Sequence, residues 1–160
     1  MNQAAGPFRE RLGACRDRLE QHRSAAHRGL TAPDHNATEQ WEASQIWAHL
    51  AEFIPYWIEQ LQQINAAYVS EPVPFGRTKQ DEARIAAIEI GRHRPLADLW
   101  AVISADIAQL DAFLAGLSTT DWAVVGVHPS LGVMDAPAIV DRFLVAHIEE
   151  HVQQLEEVAT

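Results

Sequence analysis

The 160-residue sequence contains one cysteine, Cys15. That scarcity excludes an intramolecular disulfide and a thiolate metal cluster, and it points to a reducing, cytoplasmic compartment. Basic residues are also few: 12 Lys and Arg stand against 22 Asp and Glu, a formal charge of −10. Such a surface repels phosphate backbones and anionic headgroups, so neither nucleic acid nor a membrane surface is expected as a partner. Long uncharged apolar runs are missing. The longest, Trp122 to Met134, contains His128 and Pro129 and falls short of the ~20 residues a membrane span needs. The N-terminal segment carries no apolar leader, and there is no internal repeat or low-complexity tract. Residues 1–160 read as a single domain.

Apolar residues make up 48% of the chain and recur mostly at spacings of three and four, which predicts an all-α protein of helices with one buried stripe each. The first stripe is Phe8, Leu12, Cys15, Leu19, His22 and Ala26, opened by Pro7 and closed near Gly29. Six arginines on this helix are interspersed with Glu10, Asp17 and Glu20 and read as a solvated face. Cys15 lies on the stripe and reads as a packed core residue. Residues 31–40 read as a loop. A second helix runs from about Ala43 to Tyr68 on Ile46, Leu50, Phe53, Trp57, Leu61 and Ile64, with Pro55 expected to bend or break it.

A connector over 71–78 and a short helix over 81–91 come next. A third long helix starts near Pro95 on Leu96, Leu99, Ile103, Ile107, Leu110, Leu114 and Leu117. Residues 118–134 read as a long loop, and Asp135 as the N-cap of a fourth helix continuing to the C-terminus. Arg92, His93 and Arg94 read as a solvated cluster or an anion site.

Histidines supply the chemistry. On the fourth helix Phe143, His147, His151 and Leu155 stand four apart, so both imidazoles share an inward face and can chelate one ion. Buried imidazoles with aliphatic neighbours need a metal or a water network at their nitrogens. His49, inward on the second helix, is a third candidate ligand. Glu52 and Glu150, each three residues after one of these histidines, can orient an imidazole or accept a proton, or else are solvated helix glutamates. His147 to His151 also spells the H-x-x-E-H pattern of inverted zinc proteases, but only nine residues follow His151, too few for a downstream ligand.

Three segments together, Gln40-Trp41-Glu42-Ala43-Ser44-Gln45-Ile46-Trp47-Ala48-His49-Leu50, His128-Pro129-Ser130-Leu131-Gly132 and Ala146-His147-Ile148-Glu149-Glu150-His151-Val152-Gln153-Gln154-Leu155, resemble the DinB-like superfamily. That group includes bacillithiol-dependent S-transferases and, more distantly, mycothiol-dependent maleylpyruvate isomerases. The resemblance implies an up-down-down-up four-helix bundle, often dimeric, with a divalent metal on three histidines, here His49, His147 and His151. It also implies that His128 lines or braces the site, where the residue otherwise reads as a capped loop position. Glu42 departs from the pattern, standing where many relatives cap the helix with Ser or Thr.

The expected function is a metal-dependent enzyme acting on a small-molecule substrate. Zn²⁺ or Ni²⁺ would sit on the three histidines, with bacillithiol or mycothiol as thiol cosubstrate and Glu150 or Glu52 as proton acceptor. Trp47 or Trp122 would wall the pocket and His128 would contribute to the cofactor site. The alternative is a non-catalytic metal-binding bundle that forms a homodimer.

Overall fold

The computed structural model describes residues 4–33 and 39–160, so positions 34–38 of the expected 31–40 loop lie outside the described residues. Four long helical segments form the bundle. They are α1 (Gly6–His22), α2 (Ala43–Ala67), α4 (Leu96–Gly116) and a final stretch made of α5 (Ala136–Val140), a π-helical turn (Asp141–Val145) and α6 (Ala146–Glu157). The short extra helix is α3 (Glu82–Gly91). Ion pairs give the directions. Arg9, near the start of α1, meets Asp111, near the end of α4, at 2.8 Å, so these two run antiparallel. Arg11 meets Asp141 and Glu149 while Arg18 meets Glu156, so α1 and the last helix run parallel. His49 near the start of α2 meets His147 while Trp57, further along α2, stacks on the earlier Phe143, which sets α2 antiparallel to the last helix and completes the up-down-down-up order. The arginines of α1 are therefore clamps between helices as well as a solvated face.

The centre of each expected stripe is buried, while Phe8, His22, Leu96, Phe143 and His147 are only half-buried, Ala26 is exposed beyond the end of α1, and the last helix buries Leu144, Ile148 and Val152 beside the expected His151 and Leu155. Leu12, Cys15 and Leu19 of α1, Ile46 to Ile64 of α2, Leu99 to Leu114 of α4 and Leu144, Ile148, Val152 and Leu155 at the end form one core. Each fully buried aliphatic side chain there contributes ~2 kcal/mol of transfer free energy. By length and composition α4, alone among the described helices, is long and apolar enough to cross a membrane, although Asp98, Asp106 and Asp111 keep it from being an uncharged run. In the bundle its apolar stripe packs into the core, and Asp111 on another face is tied to Arg9.

Several boundaries differ from expectation. The first helix stops at His22, and Gly29 follows in a left-handed turn at φ 83°. The second runs unbroken through Pro55, which lies on the exposed face, where water can satisfy the carbonyl that loses its donor. Glu42 does stand at its N-cap, and Gln45 reaches back to accept the Glu42 N–H at 3.0 Å, a role the side-chain ranking alone did not suggest. Arg92 is paired with Glu42 at 2.6 Å.

The expected 118–134 loop is instead a 3₁₀ turn (Asp121–Ala123) and a hairpin of β2 (Val125–His128) and β3 (Gly132–Asp135), with β1 (Val73–Pro74) added parallel to β2. A three-stranded sheet thus joins the connector after α2 to the segment before α5. Asp135 caps α5 as predicted, accepting the Ala138 N–H at 2.9 Å. The last helix ends at Glu157, short of the C-terminus.

Candidate metal centre

His49 rises from the inward face of α2 between Ile46 and Phe53, while His147 and His151 project from successive turns of α6. Their Nε2 atoms converge. His147 Nε2 stands 3.2 Å from His49 Nε2 and 3.2 Å from His151 Nε2, and all three ligand atoms lie within 4.8 Å of one another. Two nitrogens at ~2.05 Å from one tetrahedral ion would be about 3.3 Å apart, so the spacing suits shared coordination.

The opposite ring nitrogens decide what the cluster wants. His49 Nδ1 faces Glu52 Oε1 at 2.8 Å, His147 Nδ1 faces Glu150 Oε2 at 3.1 Å, and His151 Nδ1 faces Gln154 Oε1 at 2.8 Å. All three partners accept, so each Nδ1 carries the hydrogen and each Nε2 presents a lone pair to the other two. Three lone pairs aimed at one point repel each other. A cation among them removes that repulsion, and the residues present therefore fit a divalent ion. Among the described residues the cluster has no fourth protein ligand, the arrangement of metal sites that leave positions open.

Burial holds His49 and His151 neutral. His49 is 3% exposed and His151 4%, and desolvation, reinforced by the neighbouring imidazoles, pushes His49 well below the ordinary imidazole range and His151 down to about 3. Neutral imidazole is the metal-binding form. His147 is the outlet, its side chain 29% exposed. Trp41 forms one wall, stacked on His151 at 5.8 Å and edge-on to His49 at 5.0 Å, and Phe53 lies 4.6 Å from the His147 ring.

Glu52 is the better buried of the two predicted carboxylates. Its second oxygen takes Arg77 Nη2 at 2.5 Å, and Arg77 in turn lies over the Tyr56 ring at 3.9 Å. Desolvation lifts the Glu52 carboxyl above its usual range, opposed by the Arg77 hydrogen bond. Glu150, by contrast, is largely exposed at the mouth.

His128 lies outside the convergence. Its Nε2 donates to the Arg77 carbonyl at 3.1 Å, Nδ1 accepts from Ser130, and the ring stacks on Phe143. Both ring nitrogens are engaged, so His128 braces Arg77, and through it Glu52 and His49. Gly76 makes this possible: at φ 85° a Cβ there would come within 2.5 Å of His128. Trp47 is packed edge-on against Trp100 between α2 and α4, and Trp122 stacks on Phe8. The wall expected from these two is provided by Trp41.

Sequence reasoning missed Gln154, Arg77 and the π turn. Gln154 repeats the three-residue offset of Glu52 and Glu150, so the rule that found those two would have found it. The π turn shows in the core spacing: Ile139 to Leu144 and Val140 to Val145 are five-residue steps where four are normal.

No family model and no curated protein matches this sequence. Solved structures do match in fold. YfiT from Bacillus subtilis, described as a probable metal-dependent hydrolase with an unusual four-helix bundle topology, superposes with TM-score 0.75 at 14% identity, over 99% of this chain and 87% of that one. The mycothiol-dependent maleylpyruvate isomerase gives TM-score 0.69 at 18% identity over 98% of this chain, which spans 62% of the isomerase's length. An uncharacterized protein from Clostridium difficile 630 gives TM-score 0.64 at 8% identity, over 98% of this chain and 95% of that one. These likenesses show the fold, a four-helix bundle shared with YfiT and the isomerase.

Proposed function

We propose that the protein is a metal-dependent enzyme that joins a small-molecule thiol to an electrophilic substrate, by S-transfer or thiol-assisted isomerisation, at a divalent ion held by His49, His147 and His151. The observation that carries this reading is the convergence of three Nε2 lone pairs with every Nδ1 already engaged. When bound, zinc or nickel supplies positive charge that favours thiolate over thiol near neutral pH.

The chain's own residues do the rest. Glu52 and Gln154 fix the tautomer and orientation of His49 and His151, and Phe53 and Trp41 keep bulk water off the buried side. His147, the most exposed of the three, marks where a ligand enters. The protein's own thiol cannot serve: Cys15 is 1% exposed and burial pushes it up to about 11. The sulfur must come from a cosubstrate, of which bacillithiol and mycothiol are the examples favoured by the resemblance. In S-transfer the thiol S–H breaks and its proton passes to Glu150 Oε or to solvent. An S–C bond forms, and the leaving group departs with its electron pair. The description of YfiT as a probable metal-dependent hydrolase supports metal-dependent chemistry on this fold, with water as the alternative nucleophile, and that of the isomerase as mycothiol-dependent supports a thiol cosubstrate.

The test is a panel of low-molecular-weight thiols with 1-chloro-2,4-dinitrobenzene, using zinc- or nickel-loaded protein, metal-free protein and His49→Ala. Thiol-dependent turnover in the loaded protein alone is expected. Turnover of ester substrates that ignores thiol would replace transfer by hydrolysis. Rates equal to metal-free protein in every arm would leave the non-catalytic metal-binding bundle.

A further inference from the structure

Two arginines are buried beside the histidine cluster, and they differ in one respect. The Arg77 side chain is 12% exposed and is matched by Glu52 at 2.5 Å, with Asp81 at 3.8 Å. Arg84, 9% exposed, has no carboxylate within ion-pairing distance among the described residues. Its one side-chain hydrogen bond runs from Nη1 to the Lys79 carbonyl at 3.1 Å. The acids nearest to it are spoken for or stand off. Glu52 is shared between His49 and Arg77, Asp81 accepts the Arg84 backbone N–H at 2.8 Å, and Glu39 is exposed and acts only at a distance.

A guanidinium carries five donors and stays charged in proteins, and with only Nη1 engaged, on the Lys79 carbonyl, the other nitrogens of Arg84 are not sealed away and stand open to an anion. Arg84 also stands close enough for its charge to act on the cluster. It lies over the Trp41 ring at 5.7 Å, the same indole that stacks on His151 at 5.8 Å, and its field is felt at His49, His151 and Glu52.

We propose that Arg84 is the anion seat of this site, holding the carboxylate of a small organic acid while the acid's reacting end lies at the three Nε2 atoms. This names the substrate class and rests on the metal-site reading above. A planar fork of N–H donors matches a carboxylate in two parallel hydrogen bonds. One uncompensated cation matches a monoanionic group, whereas a phosphate dianion would need a second free cation, and Arg77 is already taken. Trp41, half-buried between the seat and His151, gives the carbon skeleton an apolar edge to lie along.

The experiment titrates benzoate, its neutral isostere benzamide, and inorganic phosphate into ¹⁵N-labelled full-length protein, metal-free and zinc-loaded, following the tryptophan indole resonances. Wild type, Arg84→Gln and Arg84→Lys are compared, with zinc content measured in each. Benzoate is expected to shift the Trp41 signal in both metal states. Its affinity should fall about tenfold in Arg84→Gln and several-fold in Arg84→Lys, which keeps the charge but loses the fork. Benzamide should not bind, and both variants should keep wild-type zinc content. Equal binding of benzoate and benzamide, unchanged benzoate affinity in either variant, or tighter phosphate than benzoate would overturn the proposal. Arg84→Lys decides the matter should Arg84→Gln fail to fold. If zinc does not bind while benzoate still depends on Arg84, the metal reading fails and this one stands. Zinc binding with benzoate indifferent to Arg84 gives the reverse.

Discussion

Glu52 accepts the Nδ1 hydrogen of His49 at 2.8 Å from three residues further along α2, so one turn of helix supplies both a ligand and the group that orients it. Because Arg77 binds the other oxygen, the carboxylate is fixed at both ends.

Replacing Glu52 with Gln should keep an acceptor for His49 and remove the charge that raises its basicity and balances Arg77. Metal affinity is expected to fall about 10- to 100-fold, the usual cost of losing such a partner. Chelator competition measures it, and an unchanged dissociation constant would remove Glu52 from the site. His49→Ala should cost more, since it deletes a ligand.

Wild-type protein purified without an affinity tag should carry one divalent ion per chain by mass spectrometry, and His147→Ala and His151→Ala should carry far less. Removing the ion with a chelator should leave the helical circular dichroism intact at 25 °C, because the core is continuous without it. Unfolding on chelation would make the ion structural.

The Arg11 fork to Glu149 and Asp141 clamps α1 to the last helix. Its hydrogen bond is the main cause holding Glu149 below the usual carboxylate range. A carboxylate with a depressed folded pKa binds fewer protons than its unfolded counterpart. The stability it contributes is therefore present above about pH 4.5 and lost as pH falls through the folded value. Urea midpoints of wild type and Arg11→Gln should differ at pH 7 and draw together toward pH 3. A gap that stays constant on acidification would assign the effect of Arg11 to packing of its stem.

We expect a homodimer at micromolar concentration, since Val69, Ile90 and Val133 are 90%, 71% and 65% exposed. Light scattering should return twice the chain mass. A monomeric mass would refute this and leave the metal centre untouched.

The bundle was legible because its helices obey the 3.6-residue period. The stripes of α2 and α4 are buried almost residue for residue, and that of α1 at Leu12, Cys15 and Leu19. His147 and His151 were legible for the same reason, four apart on an inward face. The sheet was not. Val125 to His128 is too short for an alternation to register, and β1 consists of two residues whose partner lies some fifty positions away. Arg77 and Arg84 were hidden likewise, since a connector residue acquires its neighbours only through tertiary folding. Trp47 was misplaced because proximity to His49 in sequence puts it on a different face of the same helix, whereas Trp41, before the helix starts, is free to fold back over the imidazoles.

The π turn at Asp141–Val145 gives the last helix a particular evolutionary tolerance. One residue more or fewer in a regular helix swings everything beyond it by about 100°. The π turn absorbs one residue locally, so loss of a single codon between 141 and 145 would turn its five-residue core steps into ordinary four-residue ones and leave both imidazoles of α6 on the inward face. A lineage of this fold could thus gain or lose a codon at this one place in the helix with its histidine cluster intact.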